Sequence, residues 1–211
     1  MNGKNTAVTL LKAFAAGVFI SVGGAVFLSC ESRYLGALLF AVGLFVICTM
    51  GLLLFTGKVC YVFENDMNYA AGLVLIWLGN LAGCAVSASL FRMTRIAGIA
   101  EKASGMCDTK LAETPLSVFI LGIFCNILIW IAVEGYKKNP HELGKYLAII
   151  FGVVVFIVSG FEHCVANMFY FAVAGRLDGA AFIFLLINTL GNAVGGVFMP
   201  LLLAACRKLE A

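Results

Sequence analysis

Charge is what this sequence has least of. Only 12% of its 211 residues are charged, 63% are hydrophobic, and the mean hydropathy is +1.05. A soluble domain carries roughly 25% charged residues and about half apolar ones, and its core could not enclose this much apolar surface. The shortage of charge therefore excludes a soluble globular domain and predicts an integral membrane protein.

Other shortages exclude further classes. The net charge is only +3 and no basic block appears, so nucleic acid is not an expected partner. The eight cysteines form no CxxC pair and no cluster with the two histidines, so no metal or cofactor is predicted and most cysteines are expected to be small packing residues. No Gly-x-Ser-Gly nucleophile is present, and a single histidine within the apolar runs cannot ligate haem from both sides. The protein is not expected to be an enzyme.

Long apolar runs, by contrast, are abundant. A membrane-spanning helix needs about 20 apolar residues, and the sequence has six such runs: Leu11–Ser29, Tyr34–Leu54, Tyr69–Phe91, Pro115–Val133, Tyr146–Ala174 and Ala180–Cys206. The last two are longer than required, so we expect them to tilt, break or project. Six spans place both termini on one side, and a small excess of lysine and arginine on that side favours the cytoplasm. These patterns predict an all-α multi-pass protein of the plasma or inner membrane.

A short motif occurs twice in the chain. Leu-Gly-Asn at 78–80 in the third run appears again at 190–192 in the sixth, and these two runs are expected to cross the membrane in opposite directions. We therefore predict one transmembrane domain over residues 1–211, built as an inverted repeat of about 11–91 and about 115–206. Each half has one expected helix break, at Phe55–Lys58 and at Gly160–His163. The glycines of the motifs are expected to pack helices closely, and Asn80 and Asn192 to bond across helices.

The stretch 158–169, VSGFEHCVANMF, is the only place where an acid, a histidine and an amide lie inside a long apolar run. Polar side chains at membrane depth are costly and usually belong to a transport path or a proton relay. His163 is the one histidine in a predicted span, where an imidazole either serves a passing weak acid or simply bonds a neighbouring group. Asn167 lies one helical turn later and is expected to orient the ring, whereas Glu162 is expected to bond a backbone N–H or another helix.

Two lysines lie next to apolar runs. Lys110 precedes the fourth run, and Lys58 follows the first expected break. A lysine at the mouth of a pore raises the local concentration of anions, although many loop lysines are only solvated. Five large side chains are either ordinary core residues or, if they line a path, constrictions that exclude hydrated ions: Phe40, Leu44, Leu54, Phe55 and Phe156.

Several of these segments resemble one known family. Gly160–Met168 is similar to the fifth-helix signature of the formate/nitrite transporter family, and Leu54–Gly57 is similar to its first pore loop. Gly122–Asn126 resembles part of its fourth helix, and Leu78–Asn80 part of its third. The resemblance covers essentially the whole chain, although Lys58 stands where relatives carry a smaller polar residue or a histidine.

The resemblance implies a fold and an activity. The fold is an aquaporin-like protomer of six helices with the second and fifth broken, assembled as a homopentamer with one pore per protomer. The activity is transport of small monovalent anions or their conjugate acids, such as formate, nitrite, hydrosulfide or short monocarboxylates. Because a bare anion would lose its hydration between the apolar constrictions, we expect proton-coupled transport, or channel-like permeation if His163 stays charged. An aquaporin-like pore for small neutral solutes is the alternative. It would need two Asn-Pro-Ala motifs, and the only Asn-Pro in this chain is Asn139-Pro140, in a loop.

The resemblance also implies roles for single residues. His163 and Thr56 would form a polar pair between apolar constrictions, and Asn126 would be the amide beside them. The five large apolar side chains named above would be the constrictions. Lys110 would be the lysine of one vestibule, and Lys12 that of the other.

Overall fold

The structure is a computed structural model that describes residues 3–210, and the side chains from residue 5 onward. Within this range it contains nine α-helices, one 3-10 turn at Val62–Glu64 and no strand. The helices are α1 (Gly3–Ser29), α2 (Arg33–Thr49), α3 (Phe55–Val59), α4 (Met67–Arg92), α5 (Ile99–Leu111), α6 (Pro115–Lys138), α7 (Glu142–Ser159), α8 (Cys164–Ala174) and α9 (Gly179–Glu210). The predicted all-α class is confirmed.

Most of the long helices have the length and composition of membrane spans. The helices α1, α4, α6, α7 and α9 are long and apolar enough to cross a bilayer, and α2 and α8 are apolar but shorter. Large apolar side chains face outward; Leu38, Val42 and Phe45 of α2 are each at least 40% exposed. Water does not tolerate continuous apolar surface of this kind, so the chain is a multi-pass membrane protein. The count of six spans stays a prediction.

One predicted boundary is wrong. The first helix break is expected at Phe55–Lys58, but the structure places it earlier, at Met50–Leu54. The reason is that α2 ends at Thr49 and that Phe55–Val59 is itself helical. Gly51 has a φ of +63°, a left-handed conformation that suits glycine and does not continue a helix. We call Met50–Leu54 the first interruption.

The second interruption is Gly160–His163. The helix α7 ends at Ser159, and α8 begins at Cys164. Gly160 has a φ of +76°, and its backbone N–H closes the last turn of α7. The fifth apolar run therefore consists of two helices joined by a non-helical segment that carries both Glu162 and His163.

An asparagine from α4 holds the first interruption. The backbone N–H of Phe55 donates to Oδ1 of Asn80 at 2.9 Å. Nδ2 of Asn80 donates to the carbonyl of Leu53 at 2.9 Å and to that of Ala13 in α1 at 2.8 Å. One buried amide thus binds the end of the interruption, the first residue of α3 and the backbone of α1, and it satisfies groups at Leu53 and Phe55 that lie outside a helical ladder.

The second interruption is held in the same way from α9. The backbone N–H of Cys164 donates to Oδ1 of Asn192 at 2.8 Å. Nδ2 of Asn192 donates to the carbonyls of Glu162 and Gly122, each at 2.8 Å. Asn188 adds a second bond to the Glu162 carbonyl at 2.7 Å. The predicted bonding of Asn80 and Asn192 across helices is confirmed.

Glycines allow the long helices to approach closely. A Cβ on Gly83 of α4 would lie 2.1 Å from the carbonyl oxygen of Phe14 in α1, and a Cβ on Gly195 of α9 would lie 2.0 Å from that of Ile123 in α6. No side chain fits at such distances, so the packing role predicted for the motif glycines is confirmed. The two halves thus make equivalent glycine contacts, as expected for an internal repeat. The repeat itself stays a prediction.

Candidate functional site

One side-chain contact joins the regions of the two interruptions. Oγ1 of Thr56, in the first turn of α3, lies 3.0 Å from Nε2 of His163, the N-cap residue of α8. Thr56 is 0% exposed and His163 only 3%. The fold therefore places the predicted polar pair in direct contact inside the bundle, although 107 residues separate the two in sequence.

The backbone determines which nitrogen of His163 carries the proton. Nδ1 faces the backbone N–H of Ala166 at 3.0 Å. An amide N–H can only donate, so Nδ1 must accept and is unprotonated. The neutral ring then carries its proton on Nε2 and donates it to Oγ1 of Thr56. The imidazole is thus held in one tautomer from both edges.

Apolar side chains enclose this pair. The ring of Phe156 stacks on His163 with 5.6 Å between the centroids and an angle of 21°. Phe40 packs edge-on against Phe156 at 6.1 Å. All five predicted constriction residues lie in the hydrophobic core and are at most 7% exposed: Phe40, Leu44, Leu54, Phe55 and Phe156. A hydrated ion has no polar surface to follow past them.

The partner of Glu162 is a lysine that sequence reasoning assigned to a separate role. Nζ of Lys110, at the end of α5, lies 2.5 Å from Oε2 of Glu162, and the two side chains are only 13% and 7% exposed. Nδ2 of Asn167 donates to the same oxygen at 2.7 Å. The carboxylate is therefore compensated by a cation and an amide, as a buried charge requires.

The expected contact between Asn167 and the imidazole is wrong. Nδ2 of Asn167 donates to Glu162 and to Oδ1 of Asn188 at 2.9 Å, not to His163. The prediction applied the helical spacing of four residues to His163, but this residue has extended dihedral angles and precedes the helix. Ala166 and Thr56, rather than Asn167, orient the ring.

Two cavities open at opposite ends of α2. The first, which we call the Lys110 chamber, has a volume of about 510 Å³ and includes Arg33 at the start of α2, Lys110 and His163. The second, which we call the Lys58 chamber, has a volume of about 100 Å³ and includes Cys48 near the end of α2 and Lys58. The two cavities share no lining residue, so buried side chains such as Thr56 lie between them.

The predicted residues fall unequally around these cavities. Phe156 lines the Lys110 chamber, whereas Leu44 and Leu54 line the Lys58 chamber. Lys12 lines neither, but its carbonyl accepts the backbone N–H of Leu53 at 3.4 Å, beside the first interruption. Lys12 is thus close to the end of the bundle that carries Lys58.

Asn126 of α6 lies behind Thr56. Its Nδ2 donates to the carbonyl of Thr56 at 3.1 Å and to that of Asn192 at 2.7 Å. Its Oδ1 is buried and has no hydrogen-bond partner among the described residues. Its two close partners are carbonyl oxygens, which only accept, and Sγ of Cys60 lies farther away at 3.9 Å. Flipping the amide would place Oδ1 against two acceptors, so the flip is excluded. An orphaned buried acceptor next to the polar pair is unusual for a purely structural residue.

Sequence reasoning missed two cations. Lys137, near the end of α6, lines the Lys58 chamber. Nη2 of Arg33 donates to the carbonyl of Ile157 at 3.0 Å and so closes the end of α7 beside the second interruption. Lys137 follows an apolar span and looks like an ordinary flanking lysine. Arg33 and Ile157 are 124 residues apart in sequence, so no local pattern indicates their contact.

Within the described part of the chain, no three His, Cys, Asp or Glu side chains gather into a cluster that could hold a metal ion. What the site offers is a neutral hydrogen-bonding pair, a compensated carboxylate and several cations at the two ends of an apolar passage. Such an arrangement suits the passage of a small polar solute rather than covalent chemistry.

Comparisons with known proteins agree with this geometry. The family model for formate/nitrite transporters matches residues 2–206. The formate channel FocB of Escherichia coli strain K12 is 28% identical over 188 residues, which are 79% of this chain and 67% of that protein. The formate-nitrite transporter 2 of Toxoplasma gondii is 30% identical over an alignment 229 positions long, which covers 90% of this chain but only 48% of that protein. The chain is thus shorter than these relatives.

Solved structures show the same fold. One described as a pentameric formate channel with formate bound superposes with a TM-score of 0.81 at 25% sequence identity, covering 99% of this chain and 100% of that one. An ion channel of the same family gives a TM-score of 0.80 at 25% identity, covering 92% and 87%. The family consists of channels and transporters, not enzymes. On the match of nearly its whole length, this chain belongs to the formate/nitrite transporter family.

Proposed function

We propose that this protein carries small monovalent anions or their conjugate acids across the cell membrane, with formate, nitrite, hydrosulfide and short monocarboxylates as the candidate substrates. Each protomer has its own path, which runs from the Lys110 chamber past Thr56 and His163 to the Lys58 chamber. Transport is coupled to protons, because the substrate crosses the apolar middle as the neutral acid.

The contact between Thr56 and His163 carries this proposal. The pair takes one polar residue from each half of the chain. It is buried among aromatic and aliphatic side chains, with one cavity on either side. Buried polar side chains in a membrane protein are costly and usually line the path of the transported species. Among the described residues, no other hydrogen bond between buried side chains links the regions of the two interruptions.

Desolvation explains why the substrate crosses as an acid. Moving a bare carboxylate into an apolar medium costs far more than a few hydrogen bonds return, and a low dielectric favours the neutral form of an acid. Lys58 and Lys12 raise the anion concentration at one end of the path. At the other end Glu162 compensates the charge of Lys110, so Lys110 receives the anion by hydrogen bonding, because an ammonium has three N–H donors and Glu162 takes one.

The polar pair then offers the neutral acid complementary hydrogen bonds. His163 donates to Oγ1 of Thr56, so the hydrogen of the Thr56 hydroxyl remains available to a substrate oxygen. Asn126 is anchored to the Thr56 carbonyl, and its unfilled Oδ1 is an acceptor for the O–H of an acid or for a water. A weak acid, which has both an acceptor and a donor, would be held better here than a halide.

Assembly and orientation belong to the same proposal. The neighbouring structure with formate bound is a pentamer, and the outward apolar faces of α2 and α9 supply surface for both subunits and lipid. We therefore propose a homopentamer in the plasma or inner membrane with cytoplasmic termini. The Lys110 chamber would then open to the outside and the Lys58 chamber to the inside.

The test is flux through the purified protein in proteoliposomes. Uptake would be measured for formate, nitrite, hydrosulfide, lactate and chloride at two pH values, with glycerol swelling as the assay for a neutral-solute pore. We expect flux of weak acids that increases as the pH falls, with little flux of chloride, which cannot be protonated in this range.

Protein-free liposomes are the necessary control, because neutral formic acid crosses lipid unaided. Chloride flux equal to formate flux and independent of pH would contradict the proton-coupled path. Rapid glycerol swelling without flux of any of the acids would contradict the substrate class and favour the neutral-solute pore.

A further inference from the structure

The Lys58 chamber has an unusual lining. Its walls are mainly aliphatic, its volume is about 100 Å³, and the only formally charged side chains that line it are Lys58 and Lys137. Leu44 and Leu54, two of the predicted constriction residues, also line it. The cavity is thus a small apolar space that closes toward the middle of the bundle and carries two cations.

Neither lysine has a counter-charge. Among the described residues, no carboxylate oxygen lies within the 4.0 Å of an ion pair from the ammonium of Lys58 or of Lys137. The acid nearest in sequence to Lys137 is Glu134, and its carboxylate already accepts from the Tyr61 hydroxyl at 2.7 Å and pairs with Lys138. The Lys110 chamber differs, since Glu162 compensates Lys110 there.

The two lysines are held near the cavity by contacts that leave their charges unmatched. The Lys58 carbonyl accepts the hydroxyl of Tyr69 at 2.7 Å, which secures the backbone of α3 but not the ammonium. Nζ of Lys137 lies 3.9 Å from the ring centroid of Tyr61, a cation–π contact that orients the side chain without neutralising it. A lysine at the end of a helix also interacts with the helix dipole, but that does not explain why two like charges share one small cavity without an acid.

We propose that the Lys58 chamber is an anion-binding site in which Lys58 and Lys137 together hold the transported anion at the end of the path opposite Lys110. The identity of the anion rests on the proposed function. Two ammonium groups beside a cavity of this size match a small monovalent oxyanion with two oxygens, such as a carboxylate. The aliphatic walls disfavour strongly hydrated divalent anions such as sulfate.

The test compares flux started from each side of the membrane. Right-side-out and inverted vesicles would be loaded with ¹³C-labelled formate, and the half-saturating concentration would be measured from the Lys58 side and from the Lys110 side. The double variant Lys58→Gln/Lys137→Gln should raise the value on the Lys58 side by roughly tenfold, the effect of about 1.4 kcal/mol of lost charged hydrogen bonding. The value on the Lys110 side should change much less.

Two control variants sharpen this test. Lys208→Gln removes an exposed lysine near the end of α9 that lines neither cavity, and should leave both values unchanged. Lys58→Arg/Lys137→Arg retains both charges and should restore most of the affinity. Equal half-saturation of the double Gln variant and the wild type on the Lys58 side would overturn the site while leaving the proposed function intact. A wild-type protein that carries none of the candidate anions would overturn both.

The wild type provides a readout that does not depend on the folding of a variant. Screening weakens the attraction of partly solvated charges. Raising the ionic strength with an impermeant salt should therefore raise the half-saturating concentration more on the Lys58 side, where the lysines are unpaired, than on the Lys110 side. A response that is equal on both sides, or larger on the Lys110 side, contradicts the site.

Discussion

The two interruptions have the same kind of backbone contacts but carry different side chains. Each is held by an asparagine from the partner helix in its own half, Asn80 for Met50–Leu54 and Asn192 for Gly160–His163, and each amide binds one backbone N–H and two carbonyls. The first interruption contains only apolar residues and glycine, apart from its backbone. The second carries an acid and an imidazole.

The difference separates scaffold from chemistry. Each half has an asparagine cradle, by which we mean the amide of Asn80 or Asn192 bound to the backbone of its interruption. Because it is common to both halves, the cradle explains how the backbone can be broken at membrane depth, and it does not explain which substrate is carried. The network of Glu162, Lys110 and Asn167 surrounds the second interruption only. The function of the molecule therefore depends on the asymmetry between the halves, and the predictions below test that asymmetry.

The largest effect is expected when the second interruption loses its imidazole. His163→Phe makes this segment apolar apart from Glu162 and removes the partner of Thr56, and we expect formate uptake into proteoliposomes to fall by at least about a hundredfold. His141→Phe is the matched control, because His141 is the only other histidine, lies in an exposed turn before α7, and should leave uptake unchanged. Wild-type flux in His163→Phe would remove the ring from the transport path.

When the second interruption loses its counter-charge, we expect an effect on stability rather than on the contact between Thr56 and His163. Lys110→Met leaves the Glu162 carboxylate buried without its cation, and breaking such a pair costs about 3–5 kcal/mol of stability. The double variant Lys110→Met/Glu162→Gln removes both charges and should recover most of the loss. Thermal unfolding in detergent measures both. A single variant as stable as the wild type would show that the pair contributes little to the fold.

The smallest effect concerns the cradles themselves. Asn80→Leu deprives three backbone groups of their only side-chain partner, whereas in Asn192→Leu the Glu162 carbonyl keeps Asn188. We expect both variants to unfold at lower temperature, with Asn80→Leu less stable by about 1–3 kcal/mol, the cost of one additional unsatisfied buried group. The same unfolding assay measures the difference. Equal losses, or a greater loss for Asn192→Leu, would contradict the view that the second cradle is reinforced.

The sequence predicts the class of the fold well and its contacts unevenly. Apolar length and scarce charge are sufficient for an all-α membrane protein, because the bilayer imposes them. The position of the first interruption is wrong by a few residues, since it depends on Gly51 in a left-handed conformation and on the amide of Asn80, which is distant in sequence. A glycine indicates that a helix can break nearby, but tertiary contacts determine at which residue the break occurs.

The candidate site shows the same division. His163 could be singled out because an ionisable residue in an apolar run is conspicuous. The role of Thr56 and its pairing with His163 were implied only by the family resemblance. The ion pair of Glu162 with Lys110 and the lining position of Lys137 could not be predicted. Both join segments that no local periodicity relates, and a lysine near the end of a helix gives no sign of the cavity it faces.

The hydrogen bond from Ala166 to Nδ1 of His163 has one further consequence. An imidazolium has no lone pair to offer, so a second proton on this ring would have to displace the amide that it now caps. Charging the ring and loosening the first turn of α8 would then be a single event. Protonation of this histidine would therefore change the conformation of the passage wall at the start of α8.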